Sequence, residues 1–163
     1  MLDVPKTRQS WENFRKLAPQ EVAALVSIGQ VLAKSGLEHE LLELVKLRSS
    51  QLNGCAFCLQ MHATDARKMG MSEEKLQLLA AWREAPVYSA RERAAIAWTE
   101  NLTLVAQSEH GVSDEVYNDA ASVFSEAELA HLTSAVVVIN AWNRIAIAYR
   151  FTPQVKAASA QAA

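Results

Sequence analysis

The chain has 163 residues and a mass of 17.9 kDa, which predicts one domain over residues 1–163 built on one hydrophobic core. Half of the residues are hydrophobic and 21% are charged, a balance that excludes a disordered or fibrous protein. The formal net charge of -2 provides no broad basic surface for phosphates, so nucleic acid is not an expected partner.

The predicted elements are helices, because apolar residues recur at three- and four-residue spacing and no long stretch alternates apolar with polar residues. We therefore predict an all-α fold. The first dozen residues have no sustained apolar face and no signal-peptide run, so we expect a poorly anchored end and a cytoplasmic protein. The first helix is expected from Pro19 to Gly36, with Val22, Leu25, Val26, Gly29 and Leu32 on its packing face.

The next two helices are predicted to form a central hairpin. The first runs over residues 38–52 and is broken by Asn53-Gly54, and the second covers residues 55–69. Two antiparallel helices that fold about such a turn bring together positions that lie equally far from it. Glu43 and His62 are such positions.

Capping signals mark the remaining helices. Gly70 is a predicted left-handed cap, and Ser72 is a predicted start. The capping-box pairs are Ser89 with Glu92, which opens a helix to about Ala106, and Ser125 with Glu128; Ser113 opens a short helix through Phe124.

The last helix carries an apolar stretch over residues 135–149, which we predict to be buried in protein. Polar residues interrupt this stretch, and it is too short to cross about 30 Å of hydrocarbon, so no membrane partner is expected. A buried Arg144 with Asn140 and Asn143 needs polar partners, which favours structural pairing or a subunit interface. Residues 155–163 are predicted to be a frayed tail.

Four residues of the hairpin carry the candidate chemistry: Glu43, Cys55, Cys58 and His62. The cysteines lie three residues apart at a helix start, where they can close a disulfide and where the helix dipole favours thiolate. His62 lies one turn after Cys58 on the same face. Since Glu43 can hold the tautomer of the imidazole and stabilise its protonated form, we predict a proton path from Glu43 through His62 to Cys58, with a water as the link to Cys55.

The pattern Glu43-x11-Cys55-x2-Cys58-x3-His62 resembles the signature of the alkyl hydroperoxidase D (AhpD) family, within the carboxymuconolactone decarboxylase-like superfamily. The resemblance covers about residues 38–110, and the run 140–146 is similar to segments of stand-alone members. It implies an AhpD-like helical domain. It also implies a thiol peroxidase in which one cysteine attacks the peroxide O–O bond and the other resolves the sulfenic acid to a disulfide.

The resemblance further implies a homotrimer or homohexamer, a hydroperoxide substrate, and an external thiol or lipoylated partner as the reductant. We predict no bound cofactor and no metal. The best-known family member has a histidine directly before the second cysteine, where this sequence has Phe57, so the substrate range and the strength of the activity stay open.

Cys58 is the expected attacking residue because it lies one turn from His62, although the helix dipole favours Cys55 and the reverse order stays open. Four alternatives also remain: two ordinary buried thiols, a zinc-binding or redox-sensing module, a helical oligomeric scaffold with a vestigial site, and a non-redox lyase related to the decarboxylases. In the zinc alternative, His39 or Glu43 would join Cys55, Cys58 and His62 as the fourth ligand. His39, His110 and His131 are otherwise expected to be surface or capping residues.

Overall fold

The computed structural model describes residues 6–154, and this part of the chain contains helices and no β-strand, which confirms the all-α prediction. Short 3₁₀ turns follow α5 and α6. The predicted frayed tail at residues 155–163 lies outside the described residues. The helices are α1 (Trp11–Leu17), α2 (Pro19–Leu32), α3 (His39–Asn53), α4 (Ala56–Lys68), α5 (Glu73–Leu78), α6 (Ala90–Thr103), α7 (Asp114–Val123) and α8 (Glu126–Tyr149).

Helix α3 is the centre of the fold and packs against α4, α6 and α8. Two of its neighbouring residues, Leu44 and Val45, are fully buried and point into different apolar clusters. Leu44 packs with residues of α4 and α6, whereas Val45 packs with residues of α6, α7 and α8. Burial on several sides explains why the apolar residues of this helix do not follow a single stripe.

The hairpin of α3 and α4 turns at Gly54, as the Asn53-Gly54 pair predicts. Gly54 has a φ of 70°, a left-handed conformation that glycine adopts without a steric penalty. The backbone N–H of Cys55 then donates to the carbonyl of Ser50 at 3.0 Å. This short turn sets the two helices side by side and places Cys55 at the start of α4.

Helix α1 shows that the prediction of a poorly anchored N-terminal dozen is wrong for the described part of that segment. Ser10 caps the helix by accepting the N–H of Asn13. The backbone N–H groups of Arg8 and Gln9 donate to the carbonyl of Tyr149 at 3.0 and 3.3 Å. These contacts come from the far end of the chain, so no local pattern could indicate them.

Two predicted helix ends also differ from the structure. Helix α2 ends at Leu32 instead of Gly36, because the N–H groups of Lys34 and Ser35 make tighter turn-type bonds to carbonyls three residues earlier. Helix α6 ends at Thr103 instead of Ala106, and a 3₁₀ turn follows at Val105–Gln107. Both differences lie in final turns, where helices commonly tighten.

Helix α8 has 24 residues and, by length and composition alone, could cross a membrane. The apolar helix is therefore longer than the predicted stretch of residues 135–149. Within this fold it is a packing element, because its Asn143 is fully buried and hydrogen-bonded to α3. The prediction of a buried Arg144 is wrong: the side chain is exposed and donates to the carbonyl of Asn140 at 2.9 Å.

Candidate active site

The two cysteines lie at the N-terminus of α4 and form a disulfide in this structure, with their Cα atoms 5.4 Å apart. Both side chains are buried. Cys55 is the N-cap residue, and its Sγ accepts the backbone N–H of Cys58 at 3.3 Å. Once reduced, a sulfur in this position faces the positive end of the helix dipole, which favours thiolate.

Glu43 on α3 and His62 on α4 meet across the hairpin. Nδ1 of His62 lies 2.9 Å from Oε2 of Glu43, and both residues are buried. An ionised carboxylate only accepts hydrogen bonds, so the ring must donate through Nδ1–H. This contact leaves Nε2 of His62 as the ring nitrogen that can accept a proton.

Lys46 holds the second oxygen of the same carboxylate, with its Nζ donating to Oε1 of Glu43 at 2.7 Å. Burial pushes the pKa of Glu43 upward, but the hydrogen bond and charge of His62, together with the ammonium of Lys46, lower the pKa below its usual value. Glu43 is therefore a carboxylate at neutral pH. The carboxylate therefore fixes the orientation and the tautomer of the imidazole.

A cavity of about 460 Å³ opens beside these groups. Its walls come from α2, α3, α4 and α8, with α1 and the segment after α8 at one end. Cys58, His62, Glu43 and Lys46 line it, whereas Cys55 is not among its lining residues. The rest of the wall is mainly apolar and includes Trp11, Leu25, Leu42, Phe57, Met61, Val138, Trp142 and Phe151.

Aromatic rings surround the disulfide on the side of α1 and the segment after α8. The ring of Phe57 packs edge-on against Phe151 at 5.5 Å, and Trp11 packs against Phe151 and Trp142 at 5.9 and 5.6 Å. Cys55, Cys58 and Phe151 belong to the same apolar cluster. This packing keeps water away from the sulfurs and leaves the cavity as the open side of Cys58.

The sequence prediction brought together Glu43, Cys58 and His62, and the structure also places them around one cavity. The sequence prediction did not identify Trp11 and Phe151, which reach the sulfurs only through the packing of α1 against the segment after α8. Lys46 lies three residues after Glu43, a spacing that indicates an ion pair on a helix. Sequence alone favours a surface ion pair at this spacing. Only the burial of Glu43 makes the pair part of the site.

The remaining histidines lie away from the disulfide. His39 is exposed at the start of α3 and borders the cavity, His110 is exposed, and His131 is half-buried on α8. Within residues 6–154, no group of three or more histidine, cysteine, aspartate or glutamate side chains is arranged to hold a metal ion.

Comparisons with known proteins identify related chains. Residues 19–101 match the sequence pattern of the carboxymuconolactone decarboxylase family. The chain is 37% identical over 136 residues to the uncharacterized protein YdfG of Bacillus subtilis (strain 168), which covers 83% of this chain and 91% of that protein.

Solved structures share the fold. A protein of unknown function from Agrobacterium tumefaciens, suggested to be the antioxidant defence protein AhpD, superposes with a TM-score of 0.86 at 39% identity, covering 93% of this chain and 100% of that one. The debrominase Bmp8 superposes with a TM-score of 0.72 at 17% identity, covering 84% of this chain and 73% of the other. At that lower identity the likeness concerns the fold alone.

Proposed function

The chain belongs to the carboxymuconolactone decarboxylase family, and on this premise we propose that it is a thiol peroxidase that reduces hydroperoxides through Cys55 and Cys58. One observation carries the proposal: Cys58, half of a disulfide-forming pair, opens into an apolar cavity that it shares with the hydrogen-bonded pair of His62 and Glu43. A redox-capable sulfur, a base and a space for an organic substrate therefore coincide.

The first step is attack on the peroxide by the thiolate of Cys58. His62 takes the thiol proton, the sulfur bonds to one peroxide oxygen, and the O–O bond breaks. The leaving alkoxide receives the proton from the imidazolium and departs as an alcohol. Two electrons pass from sulfur to oxygen, and Cys58 becomes a sulfenic acid.

The second step closes the disulfide. The sulfur of Cys55 attacks that of Cys58, an S–S bond forms, and the S–O bond breaks so that the hydroxyl leaves as water with the proton of Cys55. An external dithiol, such as a lipoyl group, then returns two electrons and two protons. The cycle needs a compartment that keeps thiols reduced, and we expect the cytoplasm.

We assign the attack to Cys58 because its residue lines the cavity and Cys55 does not. The backbone N–H of Cys58 donates a hydrogen bond to the sulfur of Cys55. This hydrogen bond stabilises the thiolate of Cys55, the resolving residue. Such a thiolate suits the resolving step, since it must attack the sulfenic acid promptly.

The test measures thiols and peroxide together in the fully reduced protein. Excess cumene hydroperoxide should consume both thiols of each chain and yield the Cys55–Cys58 disulfide, located by mass spectrometry. Cys58→Ser should abolish turnover. Cys55→Ser should stop after one turnover with a sulfenic acid at residue 58, trapped by dimedone. Both thiols surviving excess peroxide would end the proposal.

Methionine oxidation is the main source of false peroxide loss, because Met61 and Met69 are 39% and 44% exposed. The Cys55→Ser/Cys58→Ser double variant keeps these methionines and measures that background. Full activity of the double variant on a lactone acid would favour a lyase instead, and stoichiometric zinc in protein purified without chelators would favour a metal site.

A further inference from the structure

One wall of the cavity is formed by α2, and Gly29 lies in the interior of that helix. The other four described glycines have positive φ angles, so their backbone conformations account for them: Gly36, Gly54, Gly70 and Gly111. Gly29 lies in a regular helix and has no positive φ that would require a glycine. After proline, glycine is the least favourable residue in a helix interior, so this position calls for a local reason.

Close packing within the chain is not that reason. A Cβ atom built on Gly29 meets no heavy atom within 4 Å. The space that a side chain would occupy is part of the cavity, which Gly29 lines together with Cys58 and His62. A side chain at this exposed position would therefore narrow the cavity at its α2 wall.

We propose that Gly29 sets the upper size of the substrate's apolar body, which lies against α2. This inference rests on the proposed peroxidase function. A volume of about 460 Å³ lies within the roughly 300–1,000 Å³ typical of organic ligand sites and far exceeds the needs of hydrogen peroxide.

The chemistry of the walls agrees with an uncharged apolar body. Leu25, Val26 and Trp142 lie along the cavity, and Val26 is 44% exposed, so it is available for contact with a ligand. The acidic and basic side chains that line the cavity, Glu43 and Lys46, are bound to each other at 2.7 Å. Burial of a substrate's hydrocarbon against these walls supplies binding free energy that hydrogen peroxide cannot obtain.

The test is Gly29→Leu, which places a leucine side chain in the space now open. We expect kcat/KM for cumene hydroperoxide to fall by at least about tenfold, because a hydrophobic pocket discriminates by that factor or more per lost contact. We expect kcat/KM for hydrogen peroxide to stay within about twofold. Gly29→Leu should keep or raise the Tm, since leucine favours a helix more than glycine does, so lost activity would not reflect unfolding.

Gln30→Leu is the matched control, because this neighbour on α2 is exposed and is not among the cavity-lining residues. It should leave both rates unchanged. Binding of the apolar fluorophore N-phenyl-1-naphthylamine to the disulfide form gives a readout without turnover, and Gly29→Leu should weaken it.

The outcomes separate the two proposals. A wild-type protein that consumes neither peroxide removes the peroxidase function itself. Equal losses for both peroxides in Gly29→Leu, or an unchanged rate with cumene hydroperoxide, overturn the substrate limit alone. A changed molar mass of Gly29→Leu in light scattering also overturns it, since the glycine would then serve a contact between copies.

Discussion

At the scale of single residues, Glu43 is the most constrained group of the site. It is 4% exposed, and its two oxygens accept hydrogen bonds from different partners, the ring of His62 at 2.9 Å and the ammonium of Lys46 at 2.7 Å. Removing one member of such a buried cluster leaves the others unpaired, which costs more than the interaction itself contributed. The cluster therefore couples the chemistry of His62 to the stability of the α3–α4 hairpin.

Glu43→Gln should lower the free energy of unfolding by about 1–3 kcal/mol at pH 7, because the neutral amide has one oxygen and cannot accept from both His62 and Lys46 as the carboxylate does. The folded pKa of Glu43 lies below the ordinary value of 4.5. A lowered folded pKa means stability that is present above pH 4.5 and lost as the pH falls through the folded pKa. Urea unfolding from pH 7 to about pH 3 should show the difference from wild type shrinking.

Glu40→Gln is the control for this prediction, because Glu40 is exposed on the same helix. It should change the stability by less than about 0.5 kcal/mol. An effect of Glu43→Gln that stays constant across the pH range would show that the charge of Glu43 does not carry the stability.

The pairing of Glu43 with His62 could be predicted from the sequence because it depends only on the turn position and the helical repeat. The environment of the pair could not. The packing around the pair depends on α8, which contacts both helices of the hairpin, and on α1 and the segment after α8, which bring Trp11 and Phe151 to the cysteines. Neither contact leaves a local pattern in the sequence.

At the scale of elements, a polar network joins α3 and α8 directly before the cysteine turn. The amide of Asn53 donates to the side-chain oxygens of Asn140 and Asn143 at 3.0 and 2.9 Å. Asn143, fully buried, also donates to the hydroxyl of Ser50 at 3.0 Å. Since Ser50 and Asn53 flank the turn into Cys55, α8 fixes the end of α3 and with it the start of α4.

Asn143→Leu should lower the free energy of unfolding by about 2 kcal/mol, because Ser50 and Asn53 each lose a buried partner. Loss of this restraint should also speed reduction of the disulfide by dithiothreitol. Urea unfolding and a reduction time course measure the two effects. Asn101→Ala, which removes a single bond to a backbone carbonyl on α6, is the matched control. Equal effects of the two variants would contradict a special role for the α3–α8 network.

Helix starts were the most predictable part of the elements, because each is encoded within four residues. Ser89 with Glu92 and Ser125 with Glu128 form the predicted capping boxes, and Pro19 begins α2. Helix α1 shows the limit of this reasoning. Its N-cap at Ser10 is an ordinary serine in sequence, and the rings and carbonyl that anchor the helix belong to α8 and the segment after it.

At the scale of the whole molecule, α8 presents a stripe that residues 6–154 leave uncovered, with the four- and three-residue spacing of a helix-pairing seam. Its members are exposed or half-exposed and mostly small, which permits close approach of another helix: Ala130, Ser134, Val137, Ala141, Arg144 and Ala148. Val137 is 61% exposed. Arg144 folds back onto Asn140, so its charge does not project straight outward.

We expect the protein to form a homotrimer or homohexamer through this stripe, and Val137→Glu to dissociate it into monomers at micromolar concentration. A carboxylate placed among the mostly small and apolar side chains of a partner copy would lose much of its hydration, a penalty of several kcal/mol. Analytical ultracentrifugation measures the mass of both proteins. Val105→Glu is the control, because Val105 is 45% exposed and lies on a 3₁₀ turn away from α8. A wild-type protein that sediments as a monomer, or a Val137→Glu variant with the wild-type mass, would show that the stripe does not join copies of the chain.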